Sequence, residues 1–285
     1  MEVVHMSFNK INDRMVTHDD LIVVNAGQVQ HAHDQAAPNG RLYEVLGMKN
    51  GRRVVREIAH NLVVVGGAIT ALENLTGATA SWEPETLNTI HGVTATPNGV
   101  PKLALFGIGT GGSGLDFGSV ITPDIKQRDI LSPIPMRYGA SVTGSDQNKY
   151  FMKVANLGGS GTFSWYLKEF AGTPTIKSCW KNAVSADEDG TEILDEIYDS
   201  EETDGIETFT EIQINLNTLD GREYFESTGT VNTARFNTIG FYTGSKNVEG
   251  IEYANVRLYS VININNRDLS LATSSSFLYR LYSLV

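Results

Sequence analysis

The chain has 285 residues and a formal net charge of −11, and 41% of its residues are hydrophobic. That hydrophobic share is ordinary for a globular protein and excludes wholesale disorder. No cluster of Lys and Arg could neutralise a row of phosphates, and no apolar run approaches the roughly 20 residues of a membrane-spanning helix, so we expect neither nucleic acid nor membrane as a partner.

The N-terminal region shows no basic segment followed by an apolar core, so a signal peptide is not predicted. Leu21–Val24 reads as a short strand, followed by a polar loop. Residues 42–60 then give the clearest hairpin pattern, with two β-rich runs on either side of Asn50-Gly51. Asn-Gly suits the positive φ angles of a tight type I′ turn, which favours a two-stranded hairpin here.

Two segments have the periodicity of a helix. Residues 68–77 place Ile69, Leu72 and Leu75 at helical spacing, and Gly77 is well placed to end the helix. In residues 187–200, apolar side chains such as Ile193 and Leu194 share one face with carboxylates opposite. Acidic residues at the start of this second segment would favour the helix dipole.

From Lys102 onward the remaining apolar segments read as short strands separated by Gly, Asn and Asp: KLALFGIG, KYFMKVANL, GTFSWYL, FTEIQINL, FNTIGFYTG, ANVRLYSVINI and FLYRLYSLV. This pattern predicts a mainly β fold, a β-sandwich or barrel-like domain with one or two short helices. We divide the chain into an N-terminal arm and hairpin region, 1–59, and a main β-rich domain, 60–285. No linker marks that boundary, so a single domain remains an alternative.

A glycine-rich segment at residues 107–112, GIGTGG, formally matches the G-x-G-x-x-G pattern of dinucleotide sites. In those sites the last glycine opens a helix whose N-terminus holds the pyrophosphate. The residues that follow contain Gly114, Gly118 and Pro123 and lack helical periodicity. We therefore predict a tight structural loop that binds no nucleotide.

Metal-ligating residues occur in two places. His31, His33 and Asp34 could meet one ion if they lay on a strand, but their segment reads as a solvated loop. Between Asn182 and Gly221 there are thirteen acidic residues and no Lys or Arg. The 187–204 part of this stretch lacks the alternating ligands of a calcium loop, so we predict an exposed segment that faces solvent or a basic neighbour.

No set of residues points to catalysis. The single cysteine, Cys179, lies far in sequence from every histidine and reads as a small buried residue. His60 and His91 stand alone and read as packed or capping residues. We predict no catalytic, cofactor-binding or metal-binding residue. The aromatic residues of the predicted strands are read as core or interface, with a sugar-binding platform as the alternative: Phe163, Trp165, Tyr166, Phe236, Phe241 and Tyr242.

Three stretches, in this order along the chain, carry a resemblance to a known class of protein. They are HNLVVVGG at 60–67 before a short helix ending at Gly77, FGIGTGG at 106–112 followed by Pro123-Asp124 and Arg128–Leu131, and FNTIGFYTG at 236–244. Together they resemble phage tail-associated structural proteins of the fibre, collar and baseplate kind. The resemblance covers residues 55–245. It implies a virion role without catalysis, and residues that serve folding and subunit contacts.

The chain has no repetitive shaft and no heptad stretch, which favours a compact collar, neck or baseplate subunit over a slim fibre. The expected partners are other virion proteins and further copies of the chain, assembled in the host cytoplasm. A carbohydrate- or receptor-binding module of the adsorption apparatus is the alternative. The apolar segment 277–285 is expected either to dock on a neighbouring subunit or to form a central strand of its own domain, covered on both faces.

Overall fold

A computed structural model describes residues 39–49, 51–82, 85–89, 99–114, 119–136, 149–156, 162–180, 193–194, 206–217, 219–230, 234–250, 252–269 and 275–283. Residues 39–285 form one compact unit. The predicted strand at Leu21–Val24, together with His31, His33, Asp34 and His91, lies outside the described residues. The described elements make two antiparallel sheets and two short helices, which confirms the predicted fold class.

The elements follow one another along the chain in this order: β1 Asn39–Lys49, β2 Arg52–His60, β3 Leu62–Val63, α1 Val65–Thr76, β4 Glu85–Thr89, β5 Lys102–Gly109, β6 Tyr150–Asn156, β7 Thr162–Glu169, β8 Thr175–Trp180, β9 Ile193–Leu194, β10 Ile206–Leu216, α2 Arg222–Ser227, β11 Arg235–Lys246, β12 Glu252–Asp268 and β13 Ser275–Ser283. All seven strand-like segments predicted after Lys102 are strands.

The first sheet, which we call the open sheet, has the order β8-β10-β13-β1-β2-β9. Its β1–β2 pair is the predicted hairpin, and Gly51 adopts a φ of 77° in the turn. Both β1 and β10 are hydrogen-bonded to β13, so the hairpin is built into the middle of the sheet. The open sheet therefore joins the early and late parts of the chain.

The second sheet has the order β11-β5-β7-β6-β4-β12-β3, and β11 also pairs with β12. Six strands therefore form a ring, with β3 attached outside on β12; we call this the closed sheet. Its interior is filled by a cluster to which all six ring strands contribute, including Leu87, Leu105, Phe151, Leu167 and Tyr242.

The main core lies between the two sheets because alternate residues of a strand point to opposite faces. In β5, Leu105 belongs to the ring interior, whereas Phe106 and Ile108 belong to the cluster shared with the open sheet. The rings of Phe241 and Tyr279 stack across the two sheets with centroids 4.0 Å apart. Fully burying one such apolar side chain contributes roughly 1.5–3 kcal/mol.

Glycines of the closed sheet make room for Ile130, which follows the GIGTGG segment. A Cβ atom at Gly240 would lie 2.3 Å from Ile130 Cγ2, and one at Gly107 would lie 2.8 Å from Leu167. A Cβ atom at Gly109 would lie 2.6 Å from the carbonyl oxygen of Leu131. A Cβ atom at Gly109 or Gly240 would displace the 130–131 segment, whereas one at Gly107 would require the Leu167 side chain to move. Gly109 and Gly240 therefore allow the 130–131 segment to pack against the sheet.

The predicted tight loop at 107–112 is thus only partly a loop. Gly107 and Gly109 lie within β5, and the turn occupies the residues up to Gly112. The backbone N–H of Gly112 donates to Asn237 Oδ1 at 2.7 Å, and Ser113 pairs with Val120 in an isolated bridge. No helix begins at Gly112, so the structural context of a dinucleotide site does not occur there.

The C-terminal strand β13 lies between β1 and β10. Phe277 and Tyr279 are buried in the main core, and Leu278 and Arg280 are buried on the opposite face. The predicted strand covered on both faces is therefore confirmed. The described part of this segment, residues 277–283, therefore forms a central strand of its own domain, which is the second of the two alternatives.

The prediction of a helix over 187–200 is wrong for Ile193 and Leu194, the two residues of this segment that the structure describes. Ile193 and Leu194 form β9 and pair with Val55 and Val54 of β2. The edge of β2 offers backbone hydrogen-bond partners, and such tertiary pairing overrides the weak helix propensity of a short segment. The second helix, α2, lies instead at Arg222–Ser227.

A buried carboxylate fixes the turn before α2. Asp220 is fully buried and accepts hydrogen bonds from Tyr150 Oη at 2.5 Å, Lys168 Nζ at 2.7 Å and the backbone N–H of Asn217 at 2.9 Å. Lys168 also donates to the carbonyl oxygen of Asn215 at 3.1 Å. The cluster ties β6 and β7 to the turn after β10, so it joins the two sheets.

Candidate functional site

Helix α1 packs against β12 through residues without bulky side chains. A Cβ atom at Gly66 would lie 2.6 Å from the carbonyl oxygen of Leu258, and one at Gly67 would lie 2.2 Å from that of Tyr259. Thr70 is buried on the same face, and its hydroxyl donates to the carbonyl oxygen of Gly66. The helix therefore lies directly on the strand backbone and has no room for leucines there.

The leucines of α1 lie on the other face. Leu72 is 59% exposed and Leu75 is 82% exposed, and Ala68 and Ala71 beside them are also exposed. The helix and its end at Gly77, which adopts a φ of 70°, confirm the sequence prediction. An amphipathic helix normally turns its apolar stripe toward the core, whereas α1 turns its two leucines outward and leaves Ile69 half-buried. We call Ala68, Ala71, Leu72 and Leu75 the outward face of α1.

Two side-chain contacts hold α1 in this orientation. Arg257 of β12, which is buried, binds both carboxylate oxygens of Glu73 and donates to the carbonyl oxygen of Trp82 at 2.7 Å. At the end of the helix, Asn74 Nδ2 donates to the carbonyl oxygen of Pro101 at 3.1 Å. The outward face is therefore presented by a rigid element.

The Glu73–Arg257 pair should make stability depend on pH. The hydrogen bond from Arg257 is the main cause that lowers the pKa of Glu73 below its ordinary value of 4.5. The pair contributes its full stabilisation of the fold above pH 4.5. This stabilisation is lost as the pH falls through the lower pKa that Glu73 has in the folded state. We expect the free energy of unfolding in urea to fall as the pH drops below the ordinary pKa of 4.5, and less so in Glu73→Gln. Glu226→Gln, which removes an exposed carboxylate, should keep the wild-type dependence.

A groove of about 550 Å³ opens at one end of the closed sheet, where β5 and β12 begin and β7 and β11 end. The residues that matter for its chemistry are Val100, Lys102, Glu169, Phe170, Lys246 and Tyr253. The mouths of ring-shaped sheets are common places for ligand sites. Val100 is exposed and adjoins Pro101, so the groove begins next to the end of α1.

A carboxylate forms the polar centre of the groove. Glu169 Oε1 accepts hydrogen bonds from Lys246 Nζ at 2.5 Å and from Tyr253 Oη at 2.7 Å. Burial and the Glu169 carboxylate raise the pKa of Tyr253, so its hydroxyl stays protonated and donates. Among the described residues, Glu169 Oε2 has no hydrogen-bond partner. The groove thus offers one oriented acceptor, and Lys102 offers an exposed ammonium.

The other residues singled out in the sequence lie outside this region. Phe236, Phe241 and Tyr242 are fully buried, which confirms their assignment to the core. His60 is neither packed nor a cap, because its side chain is exposed and its Nε2 lies 2.8 Å from Glu57. Cys179 belongs to β8, and its side chain is outside the described part.

Sequence reasoning did not find the groove. Glu169, Lys246 and Tyr253 come from three different strands, and no spacing along the chain connects them. Among the described residues no group of His, Cys, Asp and Glu side chains is arranged to hold a metal ion. No helix in the described ranges is long and apolar enough to cross a membrane.

Comparison with known proteins adds no relative. No protein-family model, no curated protein and no solved structure matches the chain.

Proposed function

We propose that the chain is a non-enzymatic structural subunit of a phage virion, in the tail, neck, collar or baseplate, that acts through subunit–subunit contacts. The partners would be other virion proteins and further copies of the chain, assembled in the host cytoplasm. The virion assignment is supported by the resemblance of the three motif stretches. The role in assembly is supported by the outward face of α1.

The outward face supports an assembly role because it exposes leucines on a rigid element. Leu72 and Leu75 lie one turn apart and contribute nothing to the core of this subunit. Contiguous exposed apolar side chains on an ordered helix mark contact surfaces in soluble proteins. Burying both leucines against a neighbour would contribute roughly 3–6 kcal/mol.

The test is a Leu72→Gln, Leu75→Gln double variant. We expect it to keep the wild-type melting temperature, because neither side chain is in the core, and to associate about 100-fold more weakly. Analytical ultracentrifugation over a concentration series measures the association. Ile176→Gln with Val248→Gln is the matched control, since both residues are exposed and apolar and lie outside α1. Wild-type association of the α1 variant would refute the proposal.

The groove favours a second candidate function, a carbohydrate-binding module of the adsorption apparatus. Glu169 Oε2 can accept a sugar hydroxyl, and Lys102 can donate to one. The aromatic contribution is limited to the half-buried ring of Phe170, because Tyr253 is only 4% exposed. The groove thus has the polar groups of a sugar site and a small stacking surface.

Binding of host-surface polysaccharide tests this second candidate. If the groove is a sugar site, Glu169→Gln should weaken binding at least about tenfold in calorimetry, because the oriented acceptor is lost. Glu249→Gln, on an exposed turn, should bind like the wild type. Absence of binding by the wild-type protein across a panel of host polysaccharides would remove this candidate and leave the assembly role untouched.

A further inference from the structure

A lysine and an aspartate are held in contact where the closed sheet meets the turn after β10, in a place shielded from solvent. Lys168 Nζ of β7 lies 2.7 Å from Asp220 Oδ2. The side chain of Asp220 is fully buried, and that of Lys168 is only 11% exposed. Tyr150 of β6 is 3% exposed, and the centroid of its ring lies 5.6 Å from Lys168 Nζ. The amine and the carboxyl group therefore meet away from bulk water.

An amine and a carboxyl group in such contact can condense to an amide. Nζ forms a bond to the carboxyl carbon Cγ of Asp220, and the bond between Cγ and Oδ2 breaks. Two protons of the Lys168 ammonium leave with Oδ2 as water, so atoms and charge balance without an oxidant, a reductant or a further reactant. The step removes two charges that are costly to bury, and the fold supplies the orientation that free groups in water lack.

The hydrogen bonds around the pair match what each atom does in this step. Oδ1, which becomes the amide oxygen, accepts from Tyr150 Oη at 2.5 Å. Negative charge develops on this oxygen as the new bond forms, and an oriented donor there stabilises the transition state. The nitrogen keeps one proton, and Lys168 Nζ already donates to the carbonyl oxygen of Asn215 at 3.1 Å. The amide would thus find partners for both of its polar atoms.

A second pair of similar composition lacks this arrangement. Lys246 Nζ and Tyr253 Oη both donate to the same oxygen of Glu169, whereas Lys168 and Tyr150 donate to different oxygens of Asp220. The side chains of Lys246 and Glu169 are 33% and 22% exposed, so water stabilises their charges. The pair in the groove should therefore stay ionic and serves as an internal comparison.

We propose that Lys168 and Asp220 form an intramolecular amide bond after the chain has folded. The ion pair is the reactant, so a newly folded chain carries the pair and the amide accumulates with time. The bond closes a loop across 52 positions of the chain. With a single cysteine the chain cannot form an internal disulfide, and the amide would constrain the unfolded chain in the same manner. This inference is independent of the proposed virion role and of the groove.

Tryptic peptide mapping of the purified, denatured full-length protein tests the proposal. Trypsin does not cut after an acylated lysine, so the amide should give a branched peptide in which residues 154–177 are joined to residues 182–222. Its mass should be lower than that of the two separate peptides by one water molecule, and tandem mass spectrometry should place the branch at Lys168 and Asp220. The branched fraction should rise over days of storage. Complete cleavage after Lys168 at every time would overturn the proposal.

The branch is the deciding observation, because loss of water alone has another source. Asp220 precedes Gly221, and an aspartate before glycine can close a cyclic imide with its own backbone, which also releases water. The imide leaves peptide 182–222 unbranched and Lys168 open to trypsin. Finding only this product would overturn the proposal.

Three variants test the chemistry of the step. Tyr150→Phe should form the branched peptide at least about tenfold more slowly, because the donor to Oδ1 is lost. Tyr259→Phe is the matched control, since it removes the hydroxyl of another buried tyrosine, and it should behave like the wild type. Lys168→Arg keeps a cation beside Asp220 without an amine that can form the bond, so only separate peptides are expected. Equal rates in the two tyrosine variants, or a branch in Lys168→Arg, would contradict the proposed step.

Discussion

Removal of residues 277–285 is expected to abolish folding of the isolated chain. This truncation deletes most of β13, the strand to which both β1 and β10 are hydrogen-bonded. It also removes four buried hydrophobic side chains, Phe277, Leu278, Tyr279 and Tyr282. Their burial contributes roughly 6–12 kcal/mol, which is comparable to the whole stability of a typical domain, about 5–15 kcal/mol.

Near-ultraviolet circular dichroism and thermal melting check this result, with a chain that ends at Ser283 as the control. The control should melt cooperatively, and the truncated chain should show no transition. A truncated chain that melts near the wild-type temperature but does not assemble would instead indicate that β13 is dispensable for the fold and acts at an interface.

Lys168→Met is expected to cost about 3–5 kcal/mol of the free energy of unfolding, because it leaves Asp220 without its cation in a fully buried position. The hydrogen bonds from Tyr150 and Asn217 remain, but neither donor carries a charge. Urea unfolding monitored by fluorescence measures the loss as a lower transition midpoint.

Arg222→Met is the matched control, because it removes one partner of the half-exposed Arg222–Glu226 pair. Exposed pairs of this kind contribute less than about 1 kcal/mol. Asp220→Asn combined with Lys168→Met should be less destabilising than Lys168→Met alone, since no unpaired charge is buried. Equal transition midpoints for Lys168→Met and Arg222→Met would show that the buried Lys168–Asp220 pair stabilises the fold no more than the half-exposed Arg222–Glu226 pair does.

Most strands could be predicted from the sequence because they alternate apolar and polar residues or form short apolar runs between turn residues. The β1–β2 hairpin and α1 could be predicted from local chemistry, Asn50-Gly51 and Gly77 in particular. Of the strands that were missed, β4 and β8 contain few apolar residues in alternation, and β9 has only two residues. Helix α2 has only six residues, too few for a helical period.

The remaining differences between prediction and structure have one physical origin. The burial of a segment depends on its contacts in the folded protein, which can come from residues far away in sequence. Periodicity identified α1 but not its orientation, which depends on the close approach of Gly66 and Gly67 to β12. Ile193 and Leu194 lie in a segment whose sequence has helical periodicity, but in the structure they pair with β2 as a strand. The carboxylates of Glu211 and Asp220 belong to the acidic region between 182 and 221. The cations that pair with them, Arg280 and Lys168, come from strands that are distant in sequence.

The contact between the Tyr43 and Tyr282 hydroxyls, 3.0 Å apart, joins residues separated by 239 positions. During synthesis β1 leaves the ribosome long before β13 has been made. Until then, the edge of β1 that pairs with β13 in the folded protein has no strand to bind. Closing so long a loop is slow, and antiparallel folds of this kind reach the native state in milliseconds to seconds. The open sheet is therefore completed only once β13 has been synthesised, and until then the nascent chain depends on protection of the β1 edge from other chains.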